Sequence, residues 1–204
     1  MGKEALVVKR DLVFREKKFQ GFLSSLEHDY MTIILNNYEY HTSGDELENN
    51  AFLKQIIPYV WIVNLNEKKV FAYRRASGKQ NYGETRLMNK ISCGVGGHID
   101  REDSDNPIEN AMMRELKEEV KMKNYPKPKI VGYLNDDSDS VGKVHLGIVA
   151  IAETSDEVEK GDDEMVEGRF YSASELEDLF KNPEYEVESW TRLSWPFVKD
   201  YLNG

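Results

Sequence analysis

Three glutamates in one short stretch of the chain have the spacing of a metal site. The run 114–120 (Arg-Glu-Leu-Lys-Glu-Glu-Val) follows a glycine-rich turn at residues 94–97. At about 100° per residue, a helix here has an apolar arc, formed by Ile108, Ala111, Met112, Leu116 and Val120. Glu115 and Glu119 project within that arc, and Glu118 flanks them. Converging carboxylates beside a buried face are costly unless a cation neutralises them, and hard oxygen ligands suit Mg²⁺ or Mn²⁺.

The alternative explanation for a helix rich in Glu and Lys is a solvated, charged surface. Such a surface would carry its acids opposite the apolar arc. Arg114, Lys117 and Lys121 project there instead. The periodicity therefore favours a divalent metal site on this helix.

The same residues resemble the Nudix box, whose pattern is G-x5-E-x7-R-E-U-x-E-E-x-G-U with U aliphatic. Gly97 matches the first glycine. The second half of the pattern matches at Arg114, Glu115, Leu116, Glu118, Glu119 and Met122. Together with the segment 91–100, the box also resembles a bacterial subgroup of Nudix proteins described as phosphoesterases.

The first departure from the pattern is its spacing, because the interval between Gly97 and Arg114 is three residues longer. Counting forward from Gly97 places the first Glu of the box at Asp103. Counting back from Arg114 places it at Asn106. Both remain candidates at this point.

The second departure is Lys121, which stands where the pattern has its final glycine. That glycine would normally end the helix in a left-handed conformation. We expect Asn124 and Pro126 to end the helix a turn later, near residue 123. Pro107 is suited to its first turn, and Glu109 is a candidate for a capping box.

The resemblance implies hydrolysis of a nucleoside diphosphate linked to another moiety, by attack of water on phosphorus. It implies that Glu115, Glu118 and Glu119 hold Mg²⁺ or Mn²⁺, with the carbonyl of Gly97 as a further ligand. It also implies that Arg114 orients a carboxylate. The expected partner is thus a small nucleoside diphosphate derivative.

Nudix proteins often take a further glutamate from a loop after the box, as metal ligand or general base. Glu164 is the first candidate, with Glu167 or a glutamate of the box as alternatives, and a solvated acidic loop is an equally good explanation of Glu164. Candidates for phosphate contacts are Arg74, Arg75, Arg86, Lys90 and His98. For His145, in an apolar strand, a core role is the better prediction.

The composition limits the class of partner. The chain has 204 residues and a net charge of −10, spread widely along the sequence. This argues against binding to duplex nucleic acid or to an anionic membrane. The single cysteine, Cys93, excludes an intrachain disulfide and fits a reducing cytosol. No apolar signal run or membrane span is apparent, so we expect a cytoplasmic protein.

Alternating strands and helices predict a mixed α/β (α+β) fold, and the resemblance implies a Nudix-like α/β/α sandwich with a mixed sheet. Predicted strands are 6–8, 31–35, 58–63, 69–73, 91–99, 130–134, 144–151 and 169–171. A cap at Ser174 with Glu177 predicts a helix to about 180, and a final amphipathic helix follows. We divide the chain into an extension, 1–50, and a hydrolase domain, 51–204. The extension is a candidate for a homodimer contact.

Two other functions stay open. One is a nucleotide-binding or regulatory protein with a Nudix fold and little catalysis, since a fold alone does not determine function. The other is isomerase chemistry, because isopentenyl diphosphate isomerases resemble this fold and place a catalytic cysteine just before their box. Cys93 has that position.

Overall fold

The structure is a computed structural model that describes residues 3–76, 89–161 and 165–204. Its strands are β1 (Glu4–Lys9), β2 (Gly21–Ser24), β3 (Glu39–Thr42), β4 (Leu53–Asn64), β5 (Lys69–Arg75), β6 (Ile91–Ser92), β7 (Gly94–Val95), β8 (Val120–Lys121), β9 (Lys129–Asn135), β10 (His145–Glu153), β11 (Glu159–Lys160) and β12 (Met165–Ser172). Its helices are α1 (Arg10–Val13), α2 (Tyr30–Asn37), α3 (Asp45–Glu48), α4 (Pro107–Glu119), α5 (Ser140–Val144), α6 (Ala173–Lys181) and α7 (Ser189–Asn203), and a 3₁₀ turn at Arg101–Asp103 precedes α4.

One mixed sheet forms the centre of the described chain. Its main strands run in the order β12, β5, β4, β10, β9, β2. β4 and β10 are parallel, whereas the other neighbours in this order are antiparallel. β1 and the short β7 also pair with β4. The predicted hairpin of β4 and β5 is confirmed, and both strands are longer than predicted.

Helices cover both faces of this sheet. Successive side chains of a strand point to opposite faces. Accordingly, Val60 and Ile62 of β4 belong to the core cluster that includes Leu116 of α4. Trp61 lies in the other core cluster and stacks on Trp195 of α7, with ring centroids 6.0 Å apart. The predicted α/β/α sandwich with a mixed sheet is confirmed.

The N-terminal residues contribute strands to the same sheet. β1 pairs with β4, with Val7 opposite Gln55. β2 pairs with β9, with Gly21 opposite Asn135. The backbone N–H of Leu6 also donates to the carbonyl of Ile99, 2.9 Å away, just after the glycine turn. The N-terminal residues therefore reach the region of the predicted site, and the division at residue 50 stays a prediction.

The strand predicted at 31–35 is wrong, because these residues lie in α2. Their β-branched side chains favour strands. However, Asp29 caps a helix here, its carboxylate accepting a hydrogen bond from the backbone N–H of Thr32 at 3.0 Å. Tyr30 and Ile34 are buried four residues apart, which is helical spacing. The cap and the packing override the β propensity.

The prediction that the box helix continues to about residue 123 is also wrong, because α4 ends at Glu119. Val120 is extended, with φ −132° and ψ 153°, and β8 then pairs with β11. Lys121 lies in that strand, so the position requires no left-handed glycine. Pro107 begins α4 as predicted, but Glu109 pairs with Lys127 at 2.9 Å and forms no capping box.

The capping residue predicted for α6, Ser174, is wrong by two positions in the sequence. Ser172, not Ser174, is the capping residue, and its backbone N–H donates to Glu175 at 2.8 Å in a capping box. Glu177 instead accepts a hydrogen bond from Lys199 of α7 at 2.6 Å. None of the described helices combines the length and the hydropathy that a membrane-spanning helix requires.

Candidate metal and active site

The glycine turn after β7 touches the C-terminal end of α4. The backbone N–H of Gly96 donates to Oε1 of Glu119 at 2.9 Å. Gly96 has φ +153°, and a Cβ there would lie 2.0 Å from the carbonyl oxygen of Pro58. Only glycine fits this close approach. The turn therefore brings backbone directly against the last glutamate of the box.

Glu115 and Glu119 lie one helical turn apart, and both are buried. A Cβ added to Gly97 would lie only 2.7 Å from Oε1 of Glu115. Glu118 differs from them, because 58% of its side chain is exposed. The structure thus brings Gly97 and the two buried glutamates together, with Glu118 at the solvent edge.

Arg114 connects the box to the glycine turn. Its Nε and Nη2 donate to the two carboxylate oxygens of Asp103 at 2.9 and 3.0 Å. Nη2 also donates to the carbonyl of His98 at 2.9 Å. Nη1 donates to Glu115 at 2.6 Å and to Glu118 at 3.2 Å. The bidentate, charge-assisted hydrogen bonds hold the side chains of Arg114 and Asp103 in one geometry.

Asp103 is the buried acid that holds Arg114. Its side chain is 4% exposed, and it also accepts a hydrogen bond from the backbone N–H of Asp100 at 2.8 Å. Of the two candidates, counting forward from Gly97 gives the residue that binds Arg114. Asn106 instead lies at the N-terminus of α4, where its side chain makes no capping hydrogen bond.

Positive charge would stabilise the buried carboxylates of this cluster. Burial raises the pKa of Glu115, and the neighbouring Arg114 opposes that rise. The pKa of Arg114 is raised, chiefly by its hydrogen bond to Asp103. The buried carboxylates of Glu115 and Glu119 form an all-oxygen set of potential ligands. This set fits a hard divalent cation such as Mg²⁺ or Mn²⁺.

The described candidates for phosphate binding contact carboxylates. Arg74 donates to Glu167 at 3.2 Å, and Lys90 pairs with Glu186 at 2.7 Å. Arg75 donates to Glu188 at 2.6 Å. Arg86 lies outside the described residues, so its role stays a prediction.

Glu188 is a buried acid that sequence reasoning missed. Besides Arg75, it accepts hydrogen bonds from Ser92 at 2.7 Å and from Tyr59 at 3.1 Å. It joins the start of α7 to β4, β5 and β6. No local pattern marks it, because its partners are about a hundred residues away in the chain. The network holds Arg75 against the sheet.

Cys93 does not have the surroundings of a reactive thiol. The residue is buried, and burial raises its pKa well above the usual value. A catalytic cysteine is typically accessible and has a lowered pKa. This argues against the isomerase alternative.

His98 follows the glycine turn and faces His145, with ring centroids 5.8 Å apart. Burial lowers the pKa of His98, which favours its neutral form. His145 is buried in the sheet, as its apolar strand suggested. Its Nδ1 lies 2.7 Å from the carbonyl of Val141.

Glu164 lies outside the described residues. Gly161, three residues earlier in the chain, donates its backbone N–H to the carbonyl of Glu119 at 2.7 Å. The alternative, Glu167, lies on β12 with 64% of its side chain exposed and pairs with Arg74. The assignment of a general base therefore stays a prediction.

Comparisons with known proteins identify the family of this chain. The sequence model of the NUDIX domain matches residues 56–191. Protein YmaB of Bacillus subtilis (strain 168) is 36% identical over 222 aligned residues, covering 99% of this chain and 98% of that protein.

Solved structures show the same fold. The crystal structure of Tm1382, described as a candidate Nudix hydrolase, has a TM-score of 0.77 at 25% identity and covers 97% of this chain and 99% of that one. A bifunctional NMN adenylyltransferase/ADP ribose pyrophosphatase from Francisella tularensis, complexed with AMP and a manganese ion, has a TM-score of 0.51 at 13% identity. It covers 72% of this chain and 42% of that one. The domain match and the fold support pyrophosphohydrolase-type activity in general, and the chain belongs to the Nudix family.

Proposed function

We propose that this protein hydrolyses the pyrophosphate bond of a nucleoside diphosphate linked to another moiety, with Mg²⁺ or Mn²⁺ as cofactor. The observation that carries the proposal is the pair of buried carboxylates, Glu115 and Glu119, packed against the backbone of Gly96 and Gly97. Two buried acids one turn apart are costly without a cation. The nucleotide and manganese bound by the Francisella enzyme of the same fold agree with this class of ligand.

Each residue of the site has a distinct part in the proposal. Glu115, Glu119 and the carbonyl of Gly97 would hold the cation, with Glu118 at its solvent side. When bound, that cation would neutralise charge on the phosphates and polarise the attacking water. Arg114 keeps Glu115 oriented through its own bond to Asp103.

Glu164 remains our candidate for the base that takes the proton from the attacking water. The hydrogen bond from Gly161 to Glu119 supports this choice, since Gly161 is three residues before Glu164 in the chain and contacts the end of the box helix. Arg86 and His98 remain candidates for phosphate contacts, as do Arg74, Arg75 and Lys90 if they exchange a carboxylate for phosphate. The cytoplasmic location and the homodimer stay predictions from the sequence.

The test is release of phosphate, with added pyrophosphatase or phosphatase, from a panel of nucleoside triphosphates, nucleotide sugars, dinucleoside polyphosphates and coenzymes, with Mg²⁺ or Mn²⁺. Glu119→Gln should lower kcat/KM by at least about 100-fold, since a catalytic metal is worth several kcal/mol. Glu109→Gln is the matched control, because Glu109 is an exposed acid on the same helix. It should leave activity unchanged.

The same assay separates the remaining alternatives. Glu164→Gln should lower kcat more than Glu167→Gln does, and the reverse order would make Glu167 the base. Nucleotide binding without turnover, at every metal concentration, would contradict the hydrolase proposal and favour a binding or regulatory protein.

A further inference from the structure

Three potential metal ligands from distant parts of the chain meet next to the glycine turn. They are Glu48 at the end of α3, His98 after the turn, and His145 at the start of β10. Oε1 of Glu48 lies 3.9 Å from Nε2 of His98 and 3.7 Å from Nε2 of His145. One ligand atom from each residue lies within 4.8 Å of the other two.

Neighbouring groups orient two of these side chains. Nδ1 of His145 is 2.7 Å from the carbonyl of Val141, so this nitrogen carries the proton and the Nε2 lone pair is directed at Glu48. Nε2 of Gln55 donates to Oε1 of Glu48 at 3.1 Å in the core. Lys54 donates to the backbone carbonyl of His145 at 3.0 Å. Outer contacts of this kind commonly fix metal-binding histidines and carboxylates.

The separations fit a shared ion better than direct hydrogen bonds. Hydrogen bonds between nitrogen and oxygen are usually about 2.7–3.2 Å long, shorter than both His–Glu distances. Nε2 of His98 is buried, and no hydrogen-bond partner for it occurs among the described residues. Ligands at about 2.0–2.2 Å from one ion lie roughly 3–4 Å from each other. A cation between the three groups would thus need only small side-chain movements.

We propose that Glu48, His98 and His145 form a second metal site, separate from the carboxylate site of the box, which takes a borderline transition-metal ion of the Zn²⁺ class. Two imidazoles and one carboxylate suit Zn²⁺, whereas Mg²⁺ prefers oxygen ligands. This ion would link Glu48, in the N-terminal residues, to His98, which follows Gly97. His98 is in turn bound to the box helix, because Arg114 donates to its carbonyl.

The test is binding of Zn²⁺ to the full chain in a large excess of Mg²⁺, which occupies the box carboxylates. Competition with a chromophoric chelator measures the affinity. We expect one Zn²⁺ per chain, and at least about 100-fold weaker binding for His98→Asn and for His145→Gln. His41→Gln is the matched control, because His41 is a half-buried histidine that also lies beside a glutamate, 3.3 Å from Glu39. It should bind Zn²⁺ like the parent protein.

Zinc K-edge X-ray absorption of the unmodified protein gives a second readout, which needs no variant. Two imidazoles in the zinc coordination shell would support the proposal. Zinc with oxygen ligands alone, no zinc retained in excess Mg²⁺, or unchanged affinity in His98→Asn would overturn it. Neither measurement uses hydrolysis, so the result is independent of the proposed pyrophosphohydrolase activity.

Discussion

Asp103→Asn would remove the negative charge that holds Arg114 beside the glycine turn. Asp103 accepts two hydrogen bonds from Arg114, at 2.9 and 3.0 Å, and one from the backbone of Asp100. Asn offers a single side-chain oxygen, and its NH₂ group would face a donor of Arg114. The substitution therefore weakens a buried anchor without creating a cavity.

The expected loss of stability follows from these contacts. Breaking a fully buried ion pair on one side costs about 3–5 kcal/mol, and a hydrogen bond to a charged group contributes about 1.5–3 kcal/mol. Arg114 is 32% exposed and keeps Glu115, Glu118 and the carbonyl of His98 as acceptors. We therefore expect the free energy of unfolding to fall by about 2–3 kcal/mol. For a chain of this size, Tm should fall by roughly 4–12 °C.

Urea and thermal unfolding, followed by circular dichroism, measure this loss. Glu102→Gln is the control, because Glu102 is an exposed acid in the same 3₁₀ turn. A second readout is Mg²⁺ affinity, which should weaken since Arg114, released from Asp103, would compete with the cation for Glu115. Equal stability of the two variants, within about 0.5 kcal/mol, would refute the assignment of Asp103 as the anchor of Arg114.

Three further outcomes follow from the geometry. Gly97→Ala should leave the fold intact but weaken Mg²⁺ binding about tenfold, as measured by calorimetry, because its Cβ would displace Glu115. Gly96→Ala should instead lower the free energy of unfolding by about 3 kcal/mol or more, as measured by urea unfolding, because its Cβ would meet backbone atoms at a positive φ. Cys93 should react with a thiol reagent only after unfolding, and Cys93→Ser should keep any hydrolase activity; rapid labelling of the folded protein would contradict this. Burial lowers the pKa of Lys54 to about 8, so at this group the unfolded chain binds more protons between about pH 8 and 10.5. Over that range the free energy of unfolding of the parent protein should therefore rise by about 2–4 kcal/mol relative to that of Lys54→Met, as measured by urea titrations of both proteins.

Helical periodicity predicted the central feature of the site because that feature is local. Glu115 and Glu119 were expected within the apolar arc of α4, and both are buried there. Which residues share one face of a helix depends only on about 3.6 residues per turn. The β4–β5 hairpin was predictable for a similar reason, since alternating strands and a short turn are also local signals.

The features that the sequence did not reveal depend on contacts across the sheet. The end of α4 depends on the pairing of β8 with β11, which replaces the expected terminal turn. Glu48, His98 and His145 come together only through the register of β1, β4 and β10. Glu188 likewise reaches Arg75 through tertiary packing. Such positions have no periodic or motif signal, because the chain brings them together from far apart.

Despite the longer interval between Gly97 and Arg114, the glycine turn lies directly against Glu115 and Glu119. The spacing from Gly97 to Asp103 equals that of the family pattern, so the three additional residues fall after Asp103. There the chain leaves the 3₁₀ turn through Ser104, with φ +30°, and enters α4 at Pro107. The insertion therefore lengthens the connection between the acid and the helix. Asp103 still reaches Arg114, and the carboxylates of the box still face the glycine backbone.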